Sequence, residues 1–143
     1  MNIKKQFLFL VIMTIVSVAA AQDYQYKDVP FTAVHFSDGY LLPRIKACHD
    51  VTIPYAFKMC EEMGRIENFE VAAGRKQGKF RGEFPFDDSD VFKILEGASY
   101  LLAVQKDEKL DAYLDDLAQL ISEAQEPDGY LYTNRTIGGT LHP

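Results

Sequence analysis

Positive charge is in short supply in this chain. Fifteen Lys and Arg stand against twenty-one Asp and Glu, a formal net charge of −6, so no basic excess is available to neutralise phosphates. That excludes nucleic acid as a partner class. Cysteine is scarce as well, with Cys48 and Cys60 alone. On one continuous helix they stand about 18 Å apart, beyond the reach of a disulfide, and only a sharp break at Pro54 changes that. No Cys or His pair has the spacing of a zinc knuckle, and His49 beside Cys48 points around the helix from it. Both cysteines therefore read as buried thiols. With 48% hydrophobic and 13% aromatic residues over 143 positions, the composition is that of one globular domain. A disordered, collagenous or multi-pass membrane chain has a different one.

The longest apolar run is at the start. Lys4 and Lys5 precede Phe7 to Val18, where only Thr14 and Ser17 are polar, and Ala19-Ala20-Ala21 follows before Gln22. Charged, then apolar, then small is the order of a secretory signal peptide cleaved near Ala21-Gln22. As an uncleaved anchor the apolar run would span about 18 Å of a roughly 30 Å hydrocarbon core, which is too short. The expected product is exported, periplasmic or secreted, without stable membrane insertion. The alanines are followed by no Cys to carry a lipid, and loss of the two lysines takes the net charge from −6 to −8.

Residues 22–42 read as an extended lead-in: Tyr24, Tyr26, Val29, Phe31, Val34 and Phe36 favour strands, and Ser37-Asp38-Gly39 is a turn signal. From Pro43 the spacing of Ile45, Cys48, Thr52, Ala56, Met59, Cys60 and Met63 predicts a helix, kinked or divided at Pro54 and stopped by Gly64. A second helix is expected from Asp88-Ser89-Asp90, with Val91, Ile94, Leu95, Ala98, Leu101 and Leu102 on one face. Its other side also carries Phe92, Gly97, Ala103 and Val104, so it is expected to be buried on most of its circumference. After a reversal at Gln105 to Glu108, a third helix sets Leu110, Leu114, Leu117, Leu120 and Ile121 against a solvated face of Asp111, Asp115, Asp116 and Glu123. The pair forms an αα-hairpin of one inner and one outer helix.

The segments 65–87 and 126–143 read as long connections emerging at the same end of that hairpin, which gathers their aromatic and polar side chains at one rim. A hairpin and one leading helix cannot enclose a helix that is apolar on most sides. The expectation is therefore the front of a longer helical array whose further units supply the missing contacts.

Three motifs now stand in order: Arg65-Ile66-Glu67-Asn68-Phe69, the run Asp87 to Ala98, and the run Ala124 to Thr133 containing Pro127-Asp128-Gly129-Tyr130. In order and spacing they resemble the N-terminal region of the β-L-arabinofuranosidase-type glycoside hydrolases, family 127 and its relatives, from about Phe31 to Pro143. The resemblance implies an all-α fold class, the N-terminal portion of an (α/α)6 barrel. The implied domains are a signal peptide over 1–21, the lead-in over 22–42 and an incomplete barrel catalytic domain over 43–143. It further implies a carbohydrate partner, an arabinofuranose-containing plant glycan from which terminal L-arabinofuranose is removed with retention. In the characterised members a zinc-bound Cys is the nucleophile and a Glu the acid/base. The family places these downstream of the Asp-Gly-Tyr motif, so this stretch holds no catalytic or metal residue. Cys48 and Cys60 match no ligand position, and the chain alone is expected to be inactive.

The candidate substrate-binding residues are Asp88, Asp90, Lys93, Glu96 and Tyr130. Asp88 and Asp90 either accept sugar hydroxyls at the barrel mouth or cap the helix. They are poorly placed to act as the paired catalytic carboxylates of ordinary glycosidases, which flank the bond from opposite sides. Lys93, Glu96 and Tyr100 form a polar stripe that either lines the lumen or closes on itself through a Lys93–Glu96 pair. Asp128-Gly129-Tyr130 is turn chemistry, with Tyr130 and Tyr132 stacking on a sugar or entering the core. Arg75, Lys76, Lys79 and Arg81 read as a mobile solvated loop. His142 carries no assigned role. Two other readings stay open: an exported helical scaffold that binds glycan or protein without chemistry, and a lyase or epimerase on the same barrel. Cleavage at the signal site makes Gln22 the first residue of the exported product, which N-terminal sequencing of the secreted chain checks; Met1 there would exclude it.

Overall fold

The computed structural model of the chain describes residues 26–138. The signal segment, the first four residues of the lead-in and His142 lie outside them. The chain divides into two units, one ending at Val34 and one beginning at His35. In the first, the described residues are all exposed, and a 3-10 turn at Phe31–Ala33 interrupts the expected extended lead-in.

The second unit is helical, and no strand occurs among the described residues. Helix α1, Leu41–Ala47, begins two residues ahead of the expected Pro43. The cause is Asp38, whose Oδ1 accepts the amides of Tyr40 and Leu41 at 2.7 and 2.6 Å and starts the helix before proline is reached. Pro43 then falls in the first turn, where its missing N–H costs nothing. The expected division near Pro54 takes the form of a π-helical turn over Cys48–Thr52, leading into α2, Ile53–Glu62. Pro54 has no amide to offer the turn before it, and the amide of Ile53 reaches the carbonyl of Cys48, five residues back. Cys48 and Cys60 are free thiols, Cys60 buried.

Gly64 ends α2 with φ 80, a left-handed conformation that glycine adopts without steric cost. The chain then turns at once into α3, Arg65–Ala72. The segment 65–87 is thus not the uninterrupted connection that was expected, and 126–143 likewise contains α6, Thr133–Gly138. The basic stretch after α3 is held down by distant partners. Both polar groups of the buried Asn68 side chain engage the backbone of Arg81, giving Nδ2 to its carbonyl at 2.7 Å and taking its amide at 2.8 Å. The side chains of Arg81 and Lys76 converge on Glu67, and Arg75 Nε meets Glu123 Oε2 at 2.6 Å. The expected mobile solvated loop is therefore corrected to one tied down at three points, because Arg75, Lys76 and Arg81 pair with carboxylates on α3 and α5 while remaining about half-exposed.

Helices α4, Asp88–Val104, and α5, Glu108–Glu123, form the expected hairpin. Gln105 adopts an extended conformation that ends α4, and Asp107 caps α5 by accepting the amides of Lys109 and Leu110. Helix α2 packs on α4, α3 packs on α4 and α6, and α5 packs on α4. The core is Ile53, Phe57, Cys60, Phe69, Val91, Ala98, Leu101, Leu114, Leu117, Leu120 and Ala124. Helix α4 departs from the expectation of burial on most sides. Val91, Ala98 and Leu101 are covered, whereas Phe92, Tyr100 and Val104 are exposed, since α2, α3 and α5 flank only part of its circumference.

Arg75, with a further hydrogen bond from Gln119, pushes the Glu123 carboxyl from its ordinary 4.5 down to about 2. A carboxylate with a depressed folded pKa contributes stability above its unfolded value and loses it as pH falls toward the folded value. Thermal unfolding between pH 4.5 and about 2 should therefore show a shallower loss of stability for Glu123→Gln than for the native chain. Parallel pH profiles would exclude the link.

Candidate functional site

The candidate residues lie mainly around the N-terminal end of α4. Asp87 is the N-cap residue there, and no side chain caps the helix. The capping reading of Asp88 and Asp90 is thus corrected. Ser89 and Asp90 amides instead bond the carbonyls of Phe86 and Asp87, which leaves the carboxylates free for longer-range partners. Asp88 is buried, and both its oxygens are engaged by one residue: the amide and hydroxyl of Thr133 donate at 2.8 and 2.6 Å. Burial pushes the Asp88 carboxyl up, and the charge of Asp87 adds to this; the two hydrogen bonds from Thr133 act in the opposite sense.

Asp90 accepts from Arg65 Nε at 2.8 Å and from Lys93 Nζ at 3.3 Å. Arg65, its side chain largely covered, also lies 3.7 Å from Asp87 and so sits between two carboxylates. The Lys93–Glu96 pair that would close the polar stripe on itself is absent from the described contacts. Lys93 turns back one turn to Asp90, and Glu96 turns forward to the Tyr100 hydroxyl at 3.5 Å, leaving the stripe exposed. Asp90 and Lys93 border a depression of about 250 Å³ with Met59, Cys60, Met63 and Arg65; Glu96 and Tyr130 are not in its wall.

Tyr130 follows the turn that Asp128-Gly129 predicts. Asp128 Oδ1 accepts the Tyr130 amide, Gly129 has φ 87, and Glu126 and Tyr130 close the loop through their backbones at 2.8 Å. The ring is exposed rather than in the core, and the Arg135 guanidinium lies over it, 4.6 Å from the centroid. Glu126 fixes this arrangement by accepting from Arg135 and from the Thr136 hydroxyl. The backbone fold of the loop was legible in sequence; Arg135 as the partner of Tyr130 was not, because a five-residue separation across a turn has no fixed geometry until the following helix forms.

Sequence reasoning also missed a cavity of about 320 Å³ between α2 and the start of α5, lined by His49, Phe57, Glu61, Asp107 and Tyr113. The Tyr113 hydroxyl donates to Glu61 at 2.9 Å, and burial pushes its phenol above the usual range. His49 Nδ1 lies 2.7 Å from Asp50. Its Nε2 comes within 3.2 Å of Asp107 but off the line a hydrogen bond requires. Among the described residues no three His, Cys, Asp or Glu side chains converge as a metal ion would need. These residues do not fit the zinc that the resemblance implies.

Paired antiparallel helices with a charged and aromatic rim define a helical-hairpin type of structure, and comparison with known proteins gives its family. The model of the β-L-arabinofuranosidase family, glycoside hydrolase family 127 catalytic domain, matches residues 33–140, and the chain belongs to that family. The non-reducing end β-L-arabinofuranosidase of Bifidobacterium longum subsp. longum is 47% identical over 68 residues, 48% of this chain and 10% of the relative. A family 127 β-arabinofuranosidase of known structure is 49% identical with a TM-score of 0.69, over 76% of this chain and 17% of the other. A family 127 β-L-arabinofuranosidase from Geobacillus stearothermophilus T6 is 37% identical with a TM-score of 0.71, over 74% of this chain and 18% of the other. The chain thus spans less than a fifth of the length of each of these relatives.

Thr133→Val keeps the amide bond to Asp88 but removes the hydroxyl donor, leaving a buried carboxylate short of a partner, which should cost about 1–3 kcal/mol. Thr133→Ser retains the hydroxyl and should cost less. Denaturant titration of the two variants checks this, and equal stability for both would rule out the hydroxyl's role.

Proposed function

We propose that this chain is the leading part of the catalytic domain of an exported glycoside hydrolase, an (α/α)6 barrel that releases terminal L-arabinofuranosyl residues from plant glycans. The observation that carries the reading is the family match across 33–140, supported by structural neighbours named as β-arabinofuranosidases. Export rests on residues 1–21, which lie outside the described part. No helix of the described residues is long and apolar enough to cross a membrane.

In this reading the rim at the start of α4 contributes to substrate binding and performs no bond cleavage. Asp90, Lys93 and Glu96 are exposed or half-exposed donors and acceptors on one end and face of α4, the complement a polyol requires. Tyr130, backed by Arg135, offers an aromatic face to a sugar ring. Asp88 takes part from beneath: with both oxygens committed to Thr133 it does not reach a substrate, but it fixes the loop that presents Tyr130. In this reading, which follows the family resemblance, the nucleophile, the acid/base and any zinc belong to the longer protein.

The longer gene product should hydrolyse a chromogenic β-L-arabinofuranoside and lose turnover with a chelator, while the chain ended at Pro143 should be inert. In the active protein Tyr130→Ala should raise KM by up to about tenfold with a smaller change in kcat, the loss expected of one aromatic contact. Turnover by the short chain would overturn the assignment of chemistry elsewhere. No turnover by the long one would overturn the sugar.

A further inference from the structure

Arg65 opens α3 and follows at once on the left-handed Gly64. Its largely covered guanidinium reaches in three directions. Nε donates to Asp90 Oδ2 at 2.8 Å, Nη1 to the Met63 sulfur at 3.1 Å, and Nη2 lies 3.7 Å from Asp87. A rigid fork of this kind holds a carboxylate in one orientation, which a single ammonium on a flexible stem does not. Asp90 is thereby fixed with Oδ2 turned to the covered Arg65, while Oδ1 meets the mostly exposed Lys93 Nζ at 3.3 Å. That contact saturates neither group, since a carboxylate oxygen accepts two hydrogen bonds and an ammonium donates three.

We propose that Arg65 is a positioning residue for the substrate: it locks the Asp90 carboxylate so that Asp90 Oδ1 and Lys93 Nζ are presented together to two hydroxyls on adjacent carbons of a sugar ring. The proposal rests on the reading of this rim as a sugar-binding surface and gives that surface a hydroxyl pattern. An acceptor and a donor 3.3 Å apart match a vicinal diol, one hydroxyl donating to Asp90 and its neighbour accepting from Lys93. The depression beside them has an apolar wall of Ala56, Met59, Met63 and Ile94, which suits the C–H face of such a ring. A phosphate or carboxylate ligand is a poor fit, because Asp90 stands between the two cations and already neutralises both in part. Arg65 acts through Asp90 in this arrangement, and the fork rather than the bare charge is what the role requires.

The test is a double-substitution cycle in the longer gene product: Arg65→Lys, Asp90→Asn, the two combined, and Lys93→Met. Kinetics are measured on a panel of chromogenic glycosides that begins with a β-L-arabinofuranoside. Arg65→Lys keeps the charge and loses the fork; it should raise KM about tenfold with less than about a twofold change in kcat. Asp90→Asn should do the same, and the combined variant should be no worse than the worse single, because both changes break one lock. Lys93→Met should raise KM about threefold or more. A purely structural role for Arg65 would lower the melting temperature and the amount of active enzyme and leave KM unmoved, and that result overturns the proposal. KM increases that multiply in the combined variant also overturn it. Lys93 is exposed, so its variant carries the test if the Arg65 variant does not fold, and a native KM there overturns the presentation of a diol. Turnover confined to another glycoside of the panel rejects the L-arabinofuranosyl reading alone, and the cycle is then read on that substrate. Turnover of none by the native product overturns both.

Discussion

The constraint on which the described structure most depends is a buried carboxylate with a single partner. Asp88 opens α4 and Thr133 opens α6, and their two hydrogen bonds join residues 45 positions apart. An ionised group so placed is tolerable only while its acceptors are satisfied. The tie therefore fixes more than two residues: the loop that precedes Thr133 must arrive at the start of α4, and α6 must then pack on α3, as it does. Asn68 does the same for the other long segment through its paired bonds to the Arg81 backbone. Both ties use completely or almost completely buried side chains. The rim is thus assembled by polar contacts beneath its surface, and its exposed groups are carried into place.

The motifs that carry the family resemblance take on a physical meaning in this light. Asn68, Asp88 and Gly129 each belong to one of the three, and each fixes backbone geometry: a clasped loop, a joined pair of helix starts and a left-handed turn residue. Arg65, in the first motif, bridges Asp87 and Asp90 of the second. The motif residues are largely those that hold the rim together, which is why they point to a fold more directly than to a sugar.

How much could be read from sequence follows the range of the interactions. The α4–α5 hairpin was legible because its evidence is local: periodic leucines and a short reversal between them. The turn at Asp128-Gly129 was legible for the same reason. Helix α3 was not, since it is eight residues long, lies in a glycine-rich charged context and owes its stability to Phe69 and Asn68 being fully buried by other elements. Asp88 looked like a cap because its neighbours in sequence argue for one, whereas its partner lies far along the chain. The basic residues after α3 looked solvated because Glu67 and Glu123 come near them only in the folded chain. Within the candidate site, the local turn that carries Tyr130 was visible, and the long-range partners of Asp88 and Asp90 were not.

The π-helical turn at Cys48–Thr52 sets the phase between the two halves of the leading helix. In an unbroken α-helix Ile45 and Ile53 would stand about 80° apart around the axis. A turn closed by a five-residue bond winds less per residue and takes most of that angle out, so the partly buried Ile45 shares a side with the buried Ile53 and Phe57. The widened turn acts as a vernier: it absorbs one residue of slack and lets two short stripes, cut at different registers, engage the same core.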